Sequence, residues 1–256
     1  MSRTIDKLKK MSQTAPQPMG FHTAKIRETP PPLMIIGRTA VKATATTGKI
    51  DSGADAILVY KDKVGLSAAN VQKMVKAFGD IPWGVYLEES GEITGALAEA
   101  RCDFVVFSPA TRVSDLPQDE KVGKIVEVDS SIDNGLLRAI NDLPADAVLV
   151  TDTLEKSDRL VWHQLMIYRH LANFITKPMI VPVPANISEA ELKALQDTEI
   201  DGVIAEMDGE KLKELRKTVS KLPARSAKKR DKTGVLLPRT GGESTTTAPP
   251  DEEEEE

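Results

Sequence analysis

The sequence has few of the residue types on which many catalytic and metal-binding sites depend. Its 256 residues include one cysteine, Cys102, and three histidines. A single cysteine excludes an internal disulfide and a zinc site built from several cysteines, and it favours a reducing compartment such as the cytoplasm. Aromatic residues make up 4% of the chain and the formal net charge is -5. These values argue against a dedicated nucleic-acid binder.

Long apolar runs are also missing. Residues 1–23 contain no run of seven apolar residues behind their basic start, so we predict no secretory signal. No stretch approaches the roughly 20 apolar residues that a membrane-spanning helix needs. We therefore expect a soluble, cytoplasmic protein without a membrane span.

Composition divides the chain into three parts. Residues 1–32 are a proline-rich leader that we expect to lie over the body, residues 33–222 are the folded body, and residues 223–256 are rich in Ser, Thr, Gly, Pro and charge. This last part has no repeating apolar face, which predicts a disordered charged tail. The tail is either a solubilising extension or an arm that binds a partner through residues 235–237.

The body alternates short apolar runs with longer amphipathic or polar stretches, as expected for a parallel sheet covered by helices. We count eight such runs, each of strand length, with intervals that fit a strand plus a crossover. They are Leu33–Arg38, Ala56–Tyr60, Trp83–Leu87, Phe104–Ser108, Lys124–Asp129, Ala147–Thr151, Met179–Val183 and Val203–Met207.

A weak internal repeat favours a closed structure. Every second run is entered through an aspartate (Asp55, Asp103, Asp146 and Asp201), and three of the other four follow a proline. Alternating entries over eight strands predict a single compact α/β domain of the (β/α)8, or TIM-barrel, class. The alternative is a doubly wound parallel sheet, but the dinucleotide-binding glycine pattern is absent after the first run.

The segment GADAILVY at residues 53–60 resembles the helix-to-strand junctions of metabolic TIM barrels. The whole of residues 33–222 is similar to a compact member of that superfamily. The resemblance concerns architecture, so it implies a fold and no particular catalytic residues.

Two stretches depart from a regular barrel. Residues 109–123 carry no helical stripe and contain Pro117, which predicts that the fourth helix is reduced or missing. Residues 158–176 form a helix that is apolar around much more than one stripe. We expect another surface to cover this helix, through homo-oligomerisation, through the N-terminal leader, or through a partner or a membrane surface.

The functional face of such a barrel lies at the C-terminal ends of the strands. Ile125, Glu127 and Asp129 share one side of their strand, as Met34, Ile36 and Arg38 share one side of theirs. If both sides face the lumen, Arg38 meets Glu127 or Asp129 there, either as a salt bridge that fills the barrel or as a catalytic pair. The entry aspartates lie at the opposite end and are assigned to loop and strand-start hydrogen bonds.

The candidate site consists of polar residues at the strand ends. The proposed catalytic residues are Arg38, Glu127, Asp129 and Lys61, the last as a Schiff-base or anion-binding lysine. The proposed substrate-binding residues are Thr39, Ser108, Arg112, Thr151 and Asn186. Carboxylates that could converge on Mg²⁺, which prefers oxygen ligands, are Glu88, Asp129, Asp152 and Glu206.

Other chemistries are disfavoured. No histidine stands at a strand end, and Cys102 precedes the fourth strand at the wrong face for a nucleophile. Ser188 and Glu191 form a capping box where many barrels bind phosphate. Two functions remain: a lyase or isomerase acting on a small carboxylate-bearing metabolite, or a non-catalytic barrel serving as an oligomeric scaffold or protein-interaction module.

Overall fold

The computed structural model describes residues 2–12, 31–40, 53–60, 75–87, 102–151, 159–184 and 186–223. Eight parallel strands within these ranges close into a barrel in chain order, with β1 pairing β8. The predicted strands are confirmed to within two residues at each end, and the TIM-barrel class is confirmed with them. The strands are β1 Met34–Ala40, β2 Ala56–Tyr60, β3 Trp83–Leu87, β4 Phe104–Phe107, β5 Gly123–Asp129, β6 Ala147–Thr151, β7 Met179–Pro182 and β8 Gly202–Glu206.

Helices cover the outside of the barrel and one of its ends. Those of the described ranges are α1 Arg3–Ser12, α2 Asn134–Asp142, α3 Trp162–Phe174, α4 Glu189–Asp197 and α5 Gly209–Lys221. A short helical segment at residues 75–78 precedes β3. The last four helices each follow or precede a strand, as in a regular (β/α)8 unit.

Alternate residues of each strand face two separate cores. One set fills the lumen: Met34, Ile36, Ala56, Leu58, Phe104, Val106, Ile125, Ala147, Leu149, Ile180 and Ile204. The residues between them, such as Ile35, Val148 and Val203, pack outward against Leu171, Leu192, Leu212 and other helix residues. Burial on both sides explains why the strands are almost continuously apolar in the sequence.

Helix α1 closes the N-terminal end of the barrel. Its buried residues Ile5, Leu8 and Met11 belong to the same apolar cluster as the lumen side chains. A Cβ at Gly123 would come within 2.4 Å of Ile5 Cγ1, so the glycine allows the helix to approach β5 closely. The leader predicted for residues 1–32 thus contains a helix that contributes to the core.

The entry aspartates do what their position predicts. In three of the four, one carboxylate oxygen accepts a hydrogen bond from a main-chain N–H at the start of the preceding strand: Asp55 from Ile35 at 2.9 Å, Asp146 from Lys124 at 3.1 Å and Asp201 from Met179 at 2.8 Å. These bonds satisfy strand-start donors that would otherwise lack a partner.

Two of these aspartates also hold α1 by ion pairs. Lys7 Nζ lies 2.5 Å from Asp55 Oδ1, and Lys9 Nζ lies 2.9 Å from Asp146 Oδ1. Arg216 of α5 binds Asp55 as well. Ion pairs therefore hold α1 at the N-terminal end of the barrel in addition to apolar packing.

Asp103, the remaining entry aspartate, caps α1. Its carboxylate accepts hydrogen bonds from Arg3 N at 2.8 Å, Thr4 N at 2.9 Å and Ser2 Oγ at 2.8 Å. The first N–H groups of a helix have no partner within the helix, and a negative charge at that end interacts favourably with the helix dipole. Asp103 therefore caps a helix that lies about 100 positions before it in the chain.

The fourth helix is missing, as the sequence predicts. Between β4 and β5 the chain forms only a 3-10 turn at Val113–Asp115. Pro117 and the lack of an apolar stripe explain why no α-helix forms. Partly buried Leu116 and Val122 pack against the outer face of the barrel in its place.

We predict that Asp103→Ala destabilises the protein by about 1–3 kcal/mol, because it leaves two main-chain donors and the Ser2 hydroxyl without their acceptor. Unfolding in urea monitored by circular dichroism measures this difference. The matched control is Asp197→Ala at the exposed end of α4, which should change the free energy of unfolding by no more than about 0.5 kcal/mol. Equal effects of the two substitutions would contradict the capping role.

Candidate functional site

Charged and aromatic side chains replace apolar ones at the C-terminal end of the lumen. Arg38 follows Met34 and Ile36 on the lumen side of β1, Glu127 follows Ile125 on β5, and Glu206 follows Ile204 on β8. Strand alternation therefore places all three on the inner side of the barrel mouth. The lumen-facing side predicted for β1 and β5 is confirmed by the positions of Met34, Ile36 and Ile125 in the lumen cluster.

Arg38 forms an ion pair with the neighbouring strand. It lies beside Glu206 in the β1–β8 register, and its Nε is 3.5 Å from Glu206 Oε1. Its guanidinium carbon lies 4.5 Å from the centroid of the Tyr60 ring, a cation–π contact. The side chains of Arg38 and Glu206 are 36% and 62% exposed. The pair therefore lies at the solvent boundary of the lumen.

Glu127 is held by a tyrosine. The Tyr86 hydroxyl donates a hydrogen bond to Glu127 Oε2, and Tyr86 packs against the lumen cluster. The expected partner of Arg38 was Glu127 or Asp129, whereas its ion pair is with Glu206. The reason is topological, since β1 and β5 lie four strands apart in an eight-stranded barrel and so form opposite walls.

Asp129 is exposed at the end of β5 and binds its own loop. Its Oδ1 accepts hydrogen bonds from Ser131 N at 2.8 Å and Ser131 Oγ at 2.6 Å. These bonds stabilise the charged form and lower the pKa of the Asp129 carboxyl. The residue thus has a loop-forming role in the structure.

The proposed substrate-binding residues are spread over the mouth and its rim. Thr151 and Ser108 share the lumen parity of β6 and β4, and both are partly buried. Ser108 Oγ accepts from Ala110 N at 3.2 Å, which forms a local turn. Arg112 and Asn186 are exposed in the loops after β4 and β7, and Thr39 lies on the opposite side of β1 from Arg38.

The proposed metal ligands are only partly described. Lys61, Glu88 and Asp152 lie outside the described residues. Within the described ranges, no group of three or more His, Cys, Asp or Glu residues is arranged to hold a metal ion. Asp129 binds Ser131 and Glu206 binds Arg38, so the Mg²⁺ site remains a prediction.

Sequence reasoning missed the two tyrosines. Tyr60 ends β2 on the side of Ala56 and Leu58, and Tyr86 stands two residues after Gly84 on β3. The same parity argument that selected Arg38 would have placed both in the mouth. Each tyrosine contacts one of the charged residues that the sequence analysis singled out.

The loop after β7 carries the predicted capping box. Ser188 Oγ accepts from Glu191 N at 3.3 Å, and Glu191 Oε2 accepts from Ser188 N at 2.8 Å. Glu191 Oε1 also accepts from Leu160 N at 3.2 Å, ahead of α3. The hydrogen bond from the Ser188 hydroxyl is the main cause that lowers the pKa of Glu191. The helix start where many barrels bind phosphate is occupied by these bonds.

The one cysteine and the two described histidines lie away from the mouth. Cys102 precedes β4 and is buried, and its burial raises the pKa of the thiol to about 12. His163 and His170 are exposed on α3, and His170 Nε2 lies 2.9 Å from Asn134 Oδ1 of α2. His22 lies outside the described residues.

Comparison with known proteins confirms the fold. No protein-family model and no curated protein matches the sequence. Among solved structures, a mutant alpha subunit of tryptophan synthase from the hyperthermophile Pyrococcus furiosus matches with a TM-score of 0.57 and 12% identity, over 73% of this chain and 96% of that chain. Tryptophan synthase from M. tuberculosis matches with a TM-score of 0.53 and 15% identity, over 86% and 98%. At such identities the likeness shows the barrel fold alone.

No helix among the described residues is both long enough and apolar enough to cross a bilayer.

We predict that the capping box contributes to stability at neutral pH and loses its contribution in acid. The pKa of Glu191 is lower in the folded state than in the unfolded chain, so its contribution is complete above the unfolded value of about 4.3 and is lost as the pH falls through the folded value. Glu191→Gln keeps the capping box but removes its charge, so it should cost about 0.3–1 kcal/mol at pH 7 and progressively less below pH 4.

Urea unfolding at both pH values measures this effect. Glu189→Gln, in the same first turn of α4 and exposed, is the matched control for the interaction with the helix dipole. A cost of Glu191→Gln that does not change with pH would contradict the prediction.

Proposed function

We propose that this barrel binds a small carboxylate-bearing metabolite at its C-terminal mouth and carries out proton-transfer chemistry of the lyase or isomerase type there. The observation that carries the proposal is the lumen carboxylate of Glu127, held by Tyr86 on the wall opposite Arg38. The similar solved structures come from an enzyme, tryptophan synthase, which is consistent with catalysis on this fold.

Arg38 on β1 and Glu127 on β5 face each other across the mouth, and we expect them to have different roles. Arg38 offers a planar, permanently charged donor group that matches a carboxylate. Glu127 offers an acceptor whose direction is fixed by the Tyr86 hydroxyl. A small ligand whose carboxylate binds Arg38 therefore extends across the lumen towards Glu127.

This arrangement supports removal of a proton from the carbon next to a carboxylate or carbonyl group. Glu127 would accept that proton as a general base and return it to the same or a neighbouring carbon, or to a leaving group. Tyr86 acts as a positioning residue, because its hydroxyl holds the carboxylate. The product keeps its carboxylate on Arg38 throughout.

A divalent cation remains part of the proposal. Mg²⁺ bound by carboxylates among Glu88, Asp129, Asp152 and Glu206 would stabilise negative charge that develops on the substrate. The experiment below therefore includes arms with and without Mg²⁺.

We predict that the full chain catalyses exchange of carbon-bound hydrogen for solvent deuterium in at least one member of a panel of small 2-oxo and 2-hydroxy acids. Proton NMR in D₂O measures this exchange, with and without Mg²⁺. Glu127→Gln should slow it by about 100-fold or more, since a general base typically contributes that much. Tyr86→Phe should have a smaller effect, because it removes the group that orients Glu127 but keeps the general base itself.

The control is Glu210→Gln, which removes one charge from the exposed first turn of α5 and should leave the exchange rate unchanged. The proposal would be overturned by exchange that survives Glu127→Gln at the wild-type rate, or by the absence of both exchange and ligand-induced thermal stabilisation with every acid of the panel.

A second candidate function is an oligomeric scaffold. The N-terminal half of α3 leaves Trp162 80% exposed and Met166 67% exposed, next to Val161 at 46%. The apolar breadth predicted for this helix is therefore present on the surface. Exposed clusters of this kind commonly mark interaction sites.

If α3 mediates self-association, we predict that Trp162→Ser converts an oligomer to a monomer in sedimentation velocity. Val113→Ser is the matched control, because Val113 is equally exposed, at 79%, in the loop after β4. A wild-type chain that sediments as a monomer at high micromolar concentration would remove this candidate.

A further inference from the structure

We propose that Glu206 occupies the position of the ligand carboxylate on Arg38 and is displaced when the ligand binds. This inference rests on the proposed function and deepens it. Glu206 then competes with the ligand for Arg38, and the substrate is expected to carry a single carboxylate.

The contact between Arg38 and Glu206 has the geometry of an exchangeable pair. The separation of 3.5 Å between Arg38 Nε and Glu206 Oε1 exceeds the 2.7–2.9 Å of a charge-assisted hydrogen bond. Because the Glu206 side chain is 62% exposed, it can rotate into water with little loss of solvation. Exposed pairs of this kind contribute little to stability.

Arg38 is held in place by contacts other than the one to Glu206. The Tyr60 ring covers one face of its guanidinium at 4.5 Å. Its carbonyl oxygen accepts a hydrogen bond from Met207 N at 2.8 Å, just after β8. The Tyr60 contact does not involve Glu206, so the Arg38 Nε–H that faces Glu206 can donate to an oxygen of an incoming carboxylate when Glu206 leaves.

The charges of the mouth set the charge of the ligand. Among the described lumen-side residues at the strand ends, Glu127, Asp129 and Glu206 are acidic and Arg38 is basic, while Arg112 lies further out in the loop after β4. A displaced Glu206 stays tethered to the end of β8, close to the ligand. A second carboxylate or a phosphate on the ligand would add like-charge repulsion, so the mouth selects a monoanion.

The test follows the side-chain Nε–Hε resonance of Arg38 in the ¹⁵N-labelled full chain, identified by its loss in Arg38→Lys. Sodium propionate is titrated at constant ionic strength, with sodium succinate and inorganic phosphate as the dianion arms. We expect a saturable shift of the Arg38 resonance with propionate, and weaker binding of both dianions.

Glu206→Gln should bind propionate about two- to fivefold more tightly, since it removes a competing pair of the strength typical of exposed ion pairs. It should also reduce the preference for propionate over succinate. Glu210→Gln, which removes a charge from the neighbouring helix start without touching Arg38, should leave both quantities close to those of the wild type. Backbone amide spectra establish that each variant is folded.

Different NMR results would contradict the displacement of Glu206 and the binding of a carboxylate at the mouth. Propionate that shifts resonances of Tyr86 and its neighbours while the Arg38 resonance stays still would overturn the inference alone. The same holds if Glu206→Gln and Glu210→Gln have equal effects, or if succinate binds better than propionate. Absence of any carboxylate-induced shift at the mouth would overturn both.

Discussion

The structure depends on how a parallel barrel satisfies the main-chain groups at the N-terminal ends of its strands. The aspartates that enter β2, β6 and β8 accept hydrogen bonds from the strand before each, and Asp103, which enters β4, caps α1. Three of these carboxylates thus join neighbouring strands at one end of the barrel, and the fourth attaches the helix that closes it. The hydrogen bonds of these four aspartates all lie at the N-terminal end, at the opposite end of the barrel from Arg38 and Glu127.

Much of this architecture was predictable, because it follows from periodicity. Runs such as AILVY at Ala56–Tyr60 are apolar on both faces, which indicates a buried parallel strand, and Pro117 explains the missing fourth helix. The segment before β1 was expected to lie over the body, but the way in which α1 docks was not predictable. Its buried residues Ile5, Leu8 and Met11 form a short amphipathic pattern, but its cap comes from Asp103, and nothing local in the sequence connects the two.

The sequence was enough to predict which side chains of the candidate site face the lumen. It was not enough to predict which of them pair with one another. Alternation along β1 and β5 placed Arg38 and Glu127 on the lumen side, and the lumen cluster supports that placement. Which residue pairs with Arg38 depends on strand order around a closed barrel, and closure makes Glu206 on β8 the neighbour of Arg38 on β1. The pairing of β1 with β8 brings together residues that are 168 positions apart. The periodicity of the sequence gives no information about contacts between such distant residues.

The closed N-terminal end has a consequence for the order of events at the mouth. Ile5, Leu8 and Met11 fill one end of the lumen, so the described residues close the barrel at its N-terminal end. A ligand of the site proposed above would therefore enter and leave at the C-terminal mouth, and a product would have to depart before the next substrate could bind.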